Sequence, residues 1–107
     1  LSVRNENLEK AESMSKMSNV LEPAQANYED TYAWILYGMG RYDEALVWIN
    51  KALEHGGVKS GVIVEHLGDI LMKIGKQTEA LEAWQRAKEL GDTTDDIDAK
   101  IASLTKE

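Results

Sequence analysis

Residues 28–53 read YEDTYAWILYGMGRYDEALVWINKAL, and this stretch decides the fold because it holds two helical patterns separated by a glycine. In the first pattern, apolar side chains recur with the spacing of one helical face, at Tyr28, Tyr32, Ile35, Leu36 and Met39. After Gly40, which permits a tight turn, small and apolar side chains resume at Tyr42, Ala45, Leu46, Ile49, Ala52 and Leu53. The stretch therefore predicts a helical hairpin.

The same pattern recurs along the chain with a period of 34 to 35 residues. Ala45 aligns with Ala11, 34 residues earlier, and with Ala80, 35 residues later. Three further marks keep this register: small residues seven positions on, glycines five positions before the last two alanines, and helix-ending residues twelve positions on. These marks are Ser18, Ala52 and Ala87; Gly40 and Gly75; and Pro23, Gly57 and Asp92. Such a register predicts a stack of structural repeats.

The predicted organisation is a single domain over residues 1–107. Residues 5–22 align with the second helix of a hairpin, residues 26–55 and 60–91 are two full repeats, and residues 94–105 form a C-terminal capping helix. Because the chain begins in mid-repeat and without methionine, we expect it to be part of a longer protein.

The helix ends carry capping signals. Ser60 is the expected N-cap of the second full repeat, and Thr93 or Thr94 that of the last helix. Asp95 and Asp96 would then lie in the first turn of that helix, where the helix dipole favours acids. Its apolar stripe is Ile97, Ile101 and Leu104.

The motifs within these repeats resemble those of the tetratricopeptide family. The match is closest in the last full repeat, at Leu67, Gly68, Leu71, Ala80, Trp84 and Ala87. The resemblance extends over about residues 5–91. It implies an all-α fold, a right-handed superhelical stack of antiparallel helix hairpins with about 2.5 repeats and a capping helix.

Two positions depart from the family pattern: Gln77 stands where an aromatic residue is usual, and Gly57 where proline is usual. We expect these departures to loosen two loops without threatening the fold. The runs at residues 32–37 and 65–69 resemble the last repeats of longer bacterial proteins, many of which belong to the cell envelope. The resemblance therefore favours a location in the bacterial periplasm or cell envelope, with the cytoplasm as the next expectation.

Small residues occupy one equivalent place in the two full repeats, Ala33 in the first and Gly68 in the second. We expect them to let the backbone of the second helix approach, at Ala45 or Ala80. A bulky residue there would push the hairpin open.

Composition narrows the classes of function. The 107 residues carry a formal net charge of −7, which opposes binding to nucleic acid or to an acidic membrane surface. There is no cysteine, so disulfides and thiolate metal sites are excluded. The sequence has no apolar run long enough to span a bilayer, so we expect no membrane insertion.

The family resemblance implies a binding site along the concave surface formed by the first helices of the hairpins. Carried over residue by residue, this face is Asn27, Asp30, Trp34, Tyr37, Val62, Glu65, Asp69, Met72 and Lys73. It would be acidic, with two aromatic side chains and a methionine, and would suit a basic or amphipathic peptide or protein. In the alternative interpretation, the acids only keep the surface soluble and Trp34 packs against a neighbouring helix. Trp48 and Trp84 fall within packing helices and are expected to be structural.

No catalytic site is predicted. The sequence contains no nucleophile–base pair, phosphate-binding loop or zinc-binding HExxH spacing, and we expect no cofactor. His66 lies between Glu65 and Asp69 but points about 100° away from Glu65 on a helix. A histidine hydrogen-bonded between helices is therefore favoured over a metal ligand. His55, beside two glycines, is expected at a helix C-terminus.

The leading hypothesis is a non-catalytic scaffold for protein–protein interaction. One alternative is self-association as a homodimer, since the unpaired N-terminal helix would expose Leu8, Met14, Met17 and Leu21. Another is a regulatory segment attached to a larger enzyme. The clamp for a peptide's terminal carboxylate needs donors from lysine, arginine and asparagine, but the corresponding places hold Asp30, Trp34, Glu65 and Asp69, which argues against an adaptor for chaperone tails.

Overall fold

The computed structural model describes residues 3–105, with side chains from residue 9 onward. Six α-helices and one 3₁₀ helix follow one another along these residues, and no strand occurs among them. The helices are α1 (Val3–Leu21), α2 (Ala26–Gly38), α3 (Tyr42–Glu54), the 3₁₀ helix (Gly57–Lys59), α4 (Gly61–Ile74), α5 (Gln77–Leu90) and α6 (Ile97–Thr105). The predicted all-α stack of tetratricopeptide-like hairpins is confirmed.

Each helix packs against the next one along the chain. Helices α2 and α3 form the first hairpin, α4 and α5 form the second, and α3 packs against α4 to join them. At the two ends, α1 packs on α2 and α6 packs on α5. None of the helices within residues 3–105 combines the length and the hydropathy needed to cross a bilayer.

The two hairpin turns use the same backbone arrangement. Gly40 and Gly75 adopt positive φ angles of 80° and 93°, which residues with a Cβ disfavour. In both turns, the residue after the glycine donates its N–H to the carbonyl five residues before it, at 2.9 Å. The second hairpin also begins with the predicted cap, because the Ser60 hydroxyl accepts the Ile63 N–H at 3.4 Å.

Two apolar clusters hold the hairpins together. The first is built on α2 and α3 and includes Tyr32, Ala33, Leu36, Ala45, Ile49 and Ala52. The second is built on α4 and α5 and includes Val64, Leu71, Ala80, Trp84 and Ala87. Leu46, Leu53 and Leu67 pack against both clusters, so the core is continuous from one hairpin to the next.

Trp48 and Trp84 have the structural roles expected from the sequence. Trp48 packs edge-on against Tyr32, with ring centroids 4.8 Å apart. Trp84 is buried, and its indole covers Gly68, where a Cβ would lie 2.4 Å from two indole atoms. From the sequence, the backbone at Ala80 was expected to approach Gly68. The closest contacts at Gly68 are instead with the Trp84 ring.

Helix α6 begins at Ile97, three residues later than the Thr94 start predicted from the sequence. The reason is that Thr94 is bound elsewhere: its N–H and its hydroxyl both donate to the carboxylate of Glu65 on α4. Asp95 and Asp96 consequently lie in a turn before the helix and not in its first turn.

Candidate protein-binding face

The nine side chains predicted for the binding face lie on two helices, α2 and α4, which contact each other. Those on α2 are Asn27, Asp30, Trp34 and Tyr37; those on α4 are Val62, Glu65, Asp69, Met72 and Lys73. Asn27, Trp34 and Lys73 are exposed, whereas Glu65 and Asp69 are buried, and the other four side chains are half-buried.

Trp34 is the centre of an aromatic group on this surface. Its indole is 40% exposed, and two nearly parallel rings stack on it: Tyr37 at 4.7 Å and His66 at 4.0 Å between centroids. Two rings this close to one indole would overlap on the same face, so they lie on opposite faces and hold Trp34 between them. We call Trp34, Tyr37 and His66 the Trp34 face.

His66 connects the two helices of this face. Its Nδ1 lies 2.7 Å from Oδ1 of Asp30, and both side chains are largely buried. The expected role of His66, a hydrogen bond between helices, is thus confirmed. Among the described residues, no three histidine or carboxylate side chains gather in a metal-binding arrangement.

Glu65 and Asp69 are not accessible to a ligand, which corrects the prediction of an open acidic groove. Glu65 is fully buried and accepts hydrogen bonds from Thr94 and from Lys100 Nζ, the latter at 2.7 Å. Asp69 accepts from Trp84 Nε1 at 3.1 Å and from Lys100 Nζ at 3.0 Å. Lys100 of α6 therefore neutralises the acids that the sequence analysis assigned to a ligand.

The pKa values within this cluster follow from burial and hydrogen bonding together. Burial alone would raise the pKa of Glu65, but hydrogen bonds from Lys100 and Thr94 hold it below its usual value. For Asp69 burial prevails, and its pKa is raised despite the bonds from Lys100 and Trp84. Burial would lower the pKa of Lys100, yet the two carboxylates raise it. Lys100 thus keeps its charge and pairs with both carboxylates.

Neither Lys100 nor Thr94 was predicted to bind Glu65 or Asp69. The repeat register contains a signal for one of them, because Lys100 follows Glu65 by 35 residues, as Glu65 follows Asp30. A lysine at the position that holds acids in the preceding repeats could have suggested an ion pair along the stack.

A second feature lies at the opposite end of the stack, on α1. Met14, Met17, Val20 and Leu21 are all exposed, with Met14 at 72%. Three of these were predicted to be exposed, and the side chain of Leu8 lies outside those the structure describes. The apolar surface of α1 therefore has no partner within residues 9–105.

Comparison with known proteins supports the fold. No family model matches this sequence, and no curated protein matches it. Among solved structures, the chain is similar to SycD, the type III secretion translocator chaperone of Yersinia enterocolitica, crystallised as an alternative dimer. The TM-score is 0.83 at 16% sequence identity, covering 95% of this chain and 82% of SycD. At this identity the likeness concerns the fold alone.

Proposed function

We propose that this chain is a non-catalytic protein–protein interaction module that binds its partner on the Trp34 face. The observation that carries the proposal is the exposed indole of Trp34, fixed between Tyr37 and His66. Tryptophan and tyrosine are enriched among residues that dominate binding energy, and a side chain already held in place loses little entropy on binding. SycD, which shares the fold, is a chaperone by its description, which agrees with an interaction role.

The partner is expected to present an apolar or aromatic side chain together with a hydrogen-bond acceptor. The Trp34 indole N–H makes no hydrogen bond within the described residues, so it can donate to such an acceptor. Burial, with Asp69 nearby, raises the pKa of Tyr37, so its hydroxyl remains a neutral donor. A basic partner stays a prediction, supported by the net charge of −7 and no longer by Glu65 and Asp69.

The proposal is tested with an array of random peptides about twelve residues long, probed with the native chain and with two variants. Trp34→Ala should weaken binding of the selected peptides by about 30-fold, the effect of losing a dominant contact. Tyr28→Ala is the matched control, because Tyr28 is an aromatic residue on the same helix with the same exposed fraction, 40%. Equal binding by the Trp34→Ala variant would remove the Trp34 face from the interaction.

A second candidate function is self-association through α1, with a second copy of the chain as the occupant. It is favoured by the exposed Met14, Met17, Val20 and Leu21, and it agrees with the dimer described for SycD. We expect light scattering to show a mass that rises with concentration, and the Val20→Glu variant to remain a monomer. A mass that is constant and monomeric over all concentrations argues against this candidate.

A further inference from the structure

An open groove of about 390 Å³ lies between α1 and α2. Helix α1 contributes four small or apolar side chains to it, Ala11, Met14, Ser15 and Ser18. Helix α2 contributes three larger ones, Tyr28, Thr31 and Ile35. Because Met14 is 72% exposed and Tyr28 is 40% exposed, the groove is accessible from outside the molecule.

The repeat register gives each of these seven residues a counterpart in the next repeat. The counterparts on α3, 34 residues later, are Ala45, Trp48, Ile49 and Ala52, and those on α4, 35 residues later, are Ile63, His66 and Ile70. All seven pack with α2. Five are buried in one cluster with Ala33 and Leu36, Trp48 packs on Tyr32, and His66 stacks on Trp34. The groove is therefore the counterpart, one repeat earlier, of the place that α2 occupies.

The chain fills two equivalent places with helices of one pattern: α2 lies on α3, and α4 lies on α5. The pattern is a large apolar residue, then a small one, then a leucine three positions further: Tyr32, Ala33 and Leu36 in α2, and Leu67, Gly68 and Leu71 in α4. The small residue lets the second helix of the hairpin approach closely. The molecule thus contains its own examples of what fits the groove.

The groove differs from its filled counterpart in carrying hydroxyl groups, at Ser15, Ser18 and Thr31. Ser18 and Thr31 each donate to the backbone carbonyl four residues earlier, at 3.2 Å and 2.8 Å. Hydroxyl groups bonded within their own helix lose little when a partner excludes water, and they also tolerate water when no partner is bound. Such a lining suits a helix that binds and leaves.

We propose that this groove binds an amphipathic helix of a partner protein, with a large apolar residue, a small residue and a leucine in the spacing found in α2 and α4. The bound helix would lie antiparallel to α1, as α2 lies antiparallel to α3, and would continue the packing of the stack by one helix. This site is separate from the Trp34 face, because Trp34 stacks on α4 whereas Thr31 and Ile35 line the groove beside α1.

The probe is a fluorescein-labelled peptide with the sequence of residues 26–38, extended at each end by one turn rich in glutamate and lysine so that it is long enough to form a helix. Titration with the intact chain should raise its fluorescence anisotropy to saturation, with a dissociation constant on the order of 100 μM. A second peptide, with leucine in place of the alanine that corresponds to Ala33, should bind at least about tenfold more weakly, because the larger residue holds the helix away from α1. Equal binding of the two peptides would overturn the proposal.

Two variants of the chain at Ser18 give opposite expectations. Ser18→Glu should weaken binding of the first peptide by at least about tenfold, because it places a charge against the apolar face of the helix. Ser18→Ala, which introduces the residue found at Ala52, should strengthen binding by about threefold. Ser13→Glu, the same change at an exposed position of α1 outside the groove, is the control and should leave binding unchanged. If circular dichroism shows that Ser18→Glu does not fold, a Ser18→Ala variant that binds no more strongly than the native chain still refutes the proposal.

Two measurements exclude other sites and occupants. Tyr28→Ala should weaken binding of the helical peptide by about fivefold, whereas Trp34→Ala should leave it unchanged, since only Tyr28 lines the groove. The reverse result would place the peptide on the Trp34 face and overturn this proposal without affecting the proposed function. Light scattering tests for a second copy: a dimer that the peptide does not dissociate would assign the groove to another copy of this chain and contradict the proposal.

Discussion

Among the positions at which the two repeats differ, three belong together. The first repeat has Ala33, Trp34 and Ile49; the second has Gly68, Asp69 and Trp84, each 35 residues later. In the second repeat the Trp84 indole lies over Gly68, and in the first repeat Ala33 and Ile49 are buried in the same apolar cluster. The second residue of each set carries an exposed indole in the first repeat, Trp34, and a buried carboxylate in the second, Asp69.

In the second repeat each residue makes the next one necessary. Gly68 leaves room for the Trp84 indole, whose N–H needs an acceptor once it is buried, and Asp69 supplies one at 3.1 Å. The carboxylate of Asp69 needs a counter-charge in turn, which Lys100 supplies at 3.0 Å. The second repeat is therefore complete only when α6 is in place.

The first repeat has no such requirement. Ile49 is fully buried and has no polar hydrogen, so nothing at position 34 has to accept a hydrogen bond. Trp34 can therefore lie at the surface, where Tyr37 and His66 stack on it. The same place in the repeat is therefore buried in a hydrogen-bonded cluster in the second hairpin and exposed at the surface in the first.

The largest expected effect is that of breaking the cluster beneath α6. Lys100→Met leaves Glu65 and Asp69 buried without their counter-charge, and we expect a loss of about 3 kcal/mol in the free energy of unfolding. Lys88→Met is the matched control, since Lys88 pairs with Asp98 of α6 in an exposed ion pair that should contribute less than about 1 kcal/mol. Chemical denaturation measures both, and equal losses would contradict the structural role of Lys100.

The next effect concerns the small residue under the tryptophan. Gly68→Ala should destabilise the chain by about 2 kcal/mol, because the new Cβ meets an indole that Asp69 holds in place. The reciprocal change in the first repeat, Ala33→Gly, should cost about 1 kcal/mol through helix propensity. Thermal and chemical unfolding compare the two variants. A Gly68→Ala variant more stable than the native chain, as helix propensity alone predicts, would show that Trp84 can move aside.

A smaller loss is expected where the first repeat meets the second. Asp30→Asn weakens the charge-assisted bond to His66, and we expect a loss of about 1 kcal/mol in the free energy of unfolding. Asp43→Asn, an exposed acid on α3, is the control. An equal loss of stability in Asp30→Asn and Lys100→Met would contradict the expectation that the Asp30–His66 bond contributes less than the Lys100 cluster beneath α6.

Much of the fold was predictable because its signals are local. The helical periodicity of residues 28–53, the glycine turns and the Ser60 cap each depend on residues close in sequence. The small residues at positions 33 and 68 were identified from the register, but the partner of Gly68 was not. Whether a backbone or an indole fills that space depends on side-chain packing between helices, which the register does not specify.

The site was less predictable because its accessibility depends on a distant helix. Glu65 and Asp69 lie on the predicted helix, but Lys100 and Thr94 cover them from 29 to 35 residues further along the chain. Trp34 was predicted on the concave face or packed against a neighbouring helix; it is 40% exposed and stacks on His66 of α4, a contact that required the relative position of α2 and α4. Likewise, nothing local indicates that the buried Asn19 keeps an unpartnered oxygen.

The smallest expected effect is in the alkaline stability of the first repeat. Burial and the hydrogen bond to Glu12 raise the pKa of Tyr32 above its usual value. The folded chain therefore holds this proton more tightly than the unfolded chain, so its contribution to stability is present below about pH 10 and is lost as the pH rises through the folded value.

Tyr32→Phe removes this contribution, and the variant should lose less stability than the native chain between about pH 9 and pH 11. The pKa of Lys100 is also raised, so Lys100 contributes stability that is lost as the pH rises. This loss is the same in the native chain and in the variant, so it does not affect the difference between them. Guanidinium unfolding at the two pH values measures the difference. Parallel losses in the two proteins would mean that the phenol of Tyr32 is as free to ionise in the folded chain as in the unfolded one, and that its bond to Glu12 does not join α1 to the first repeat.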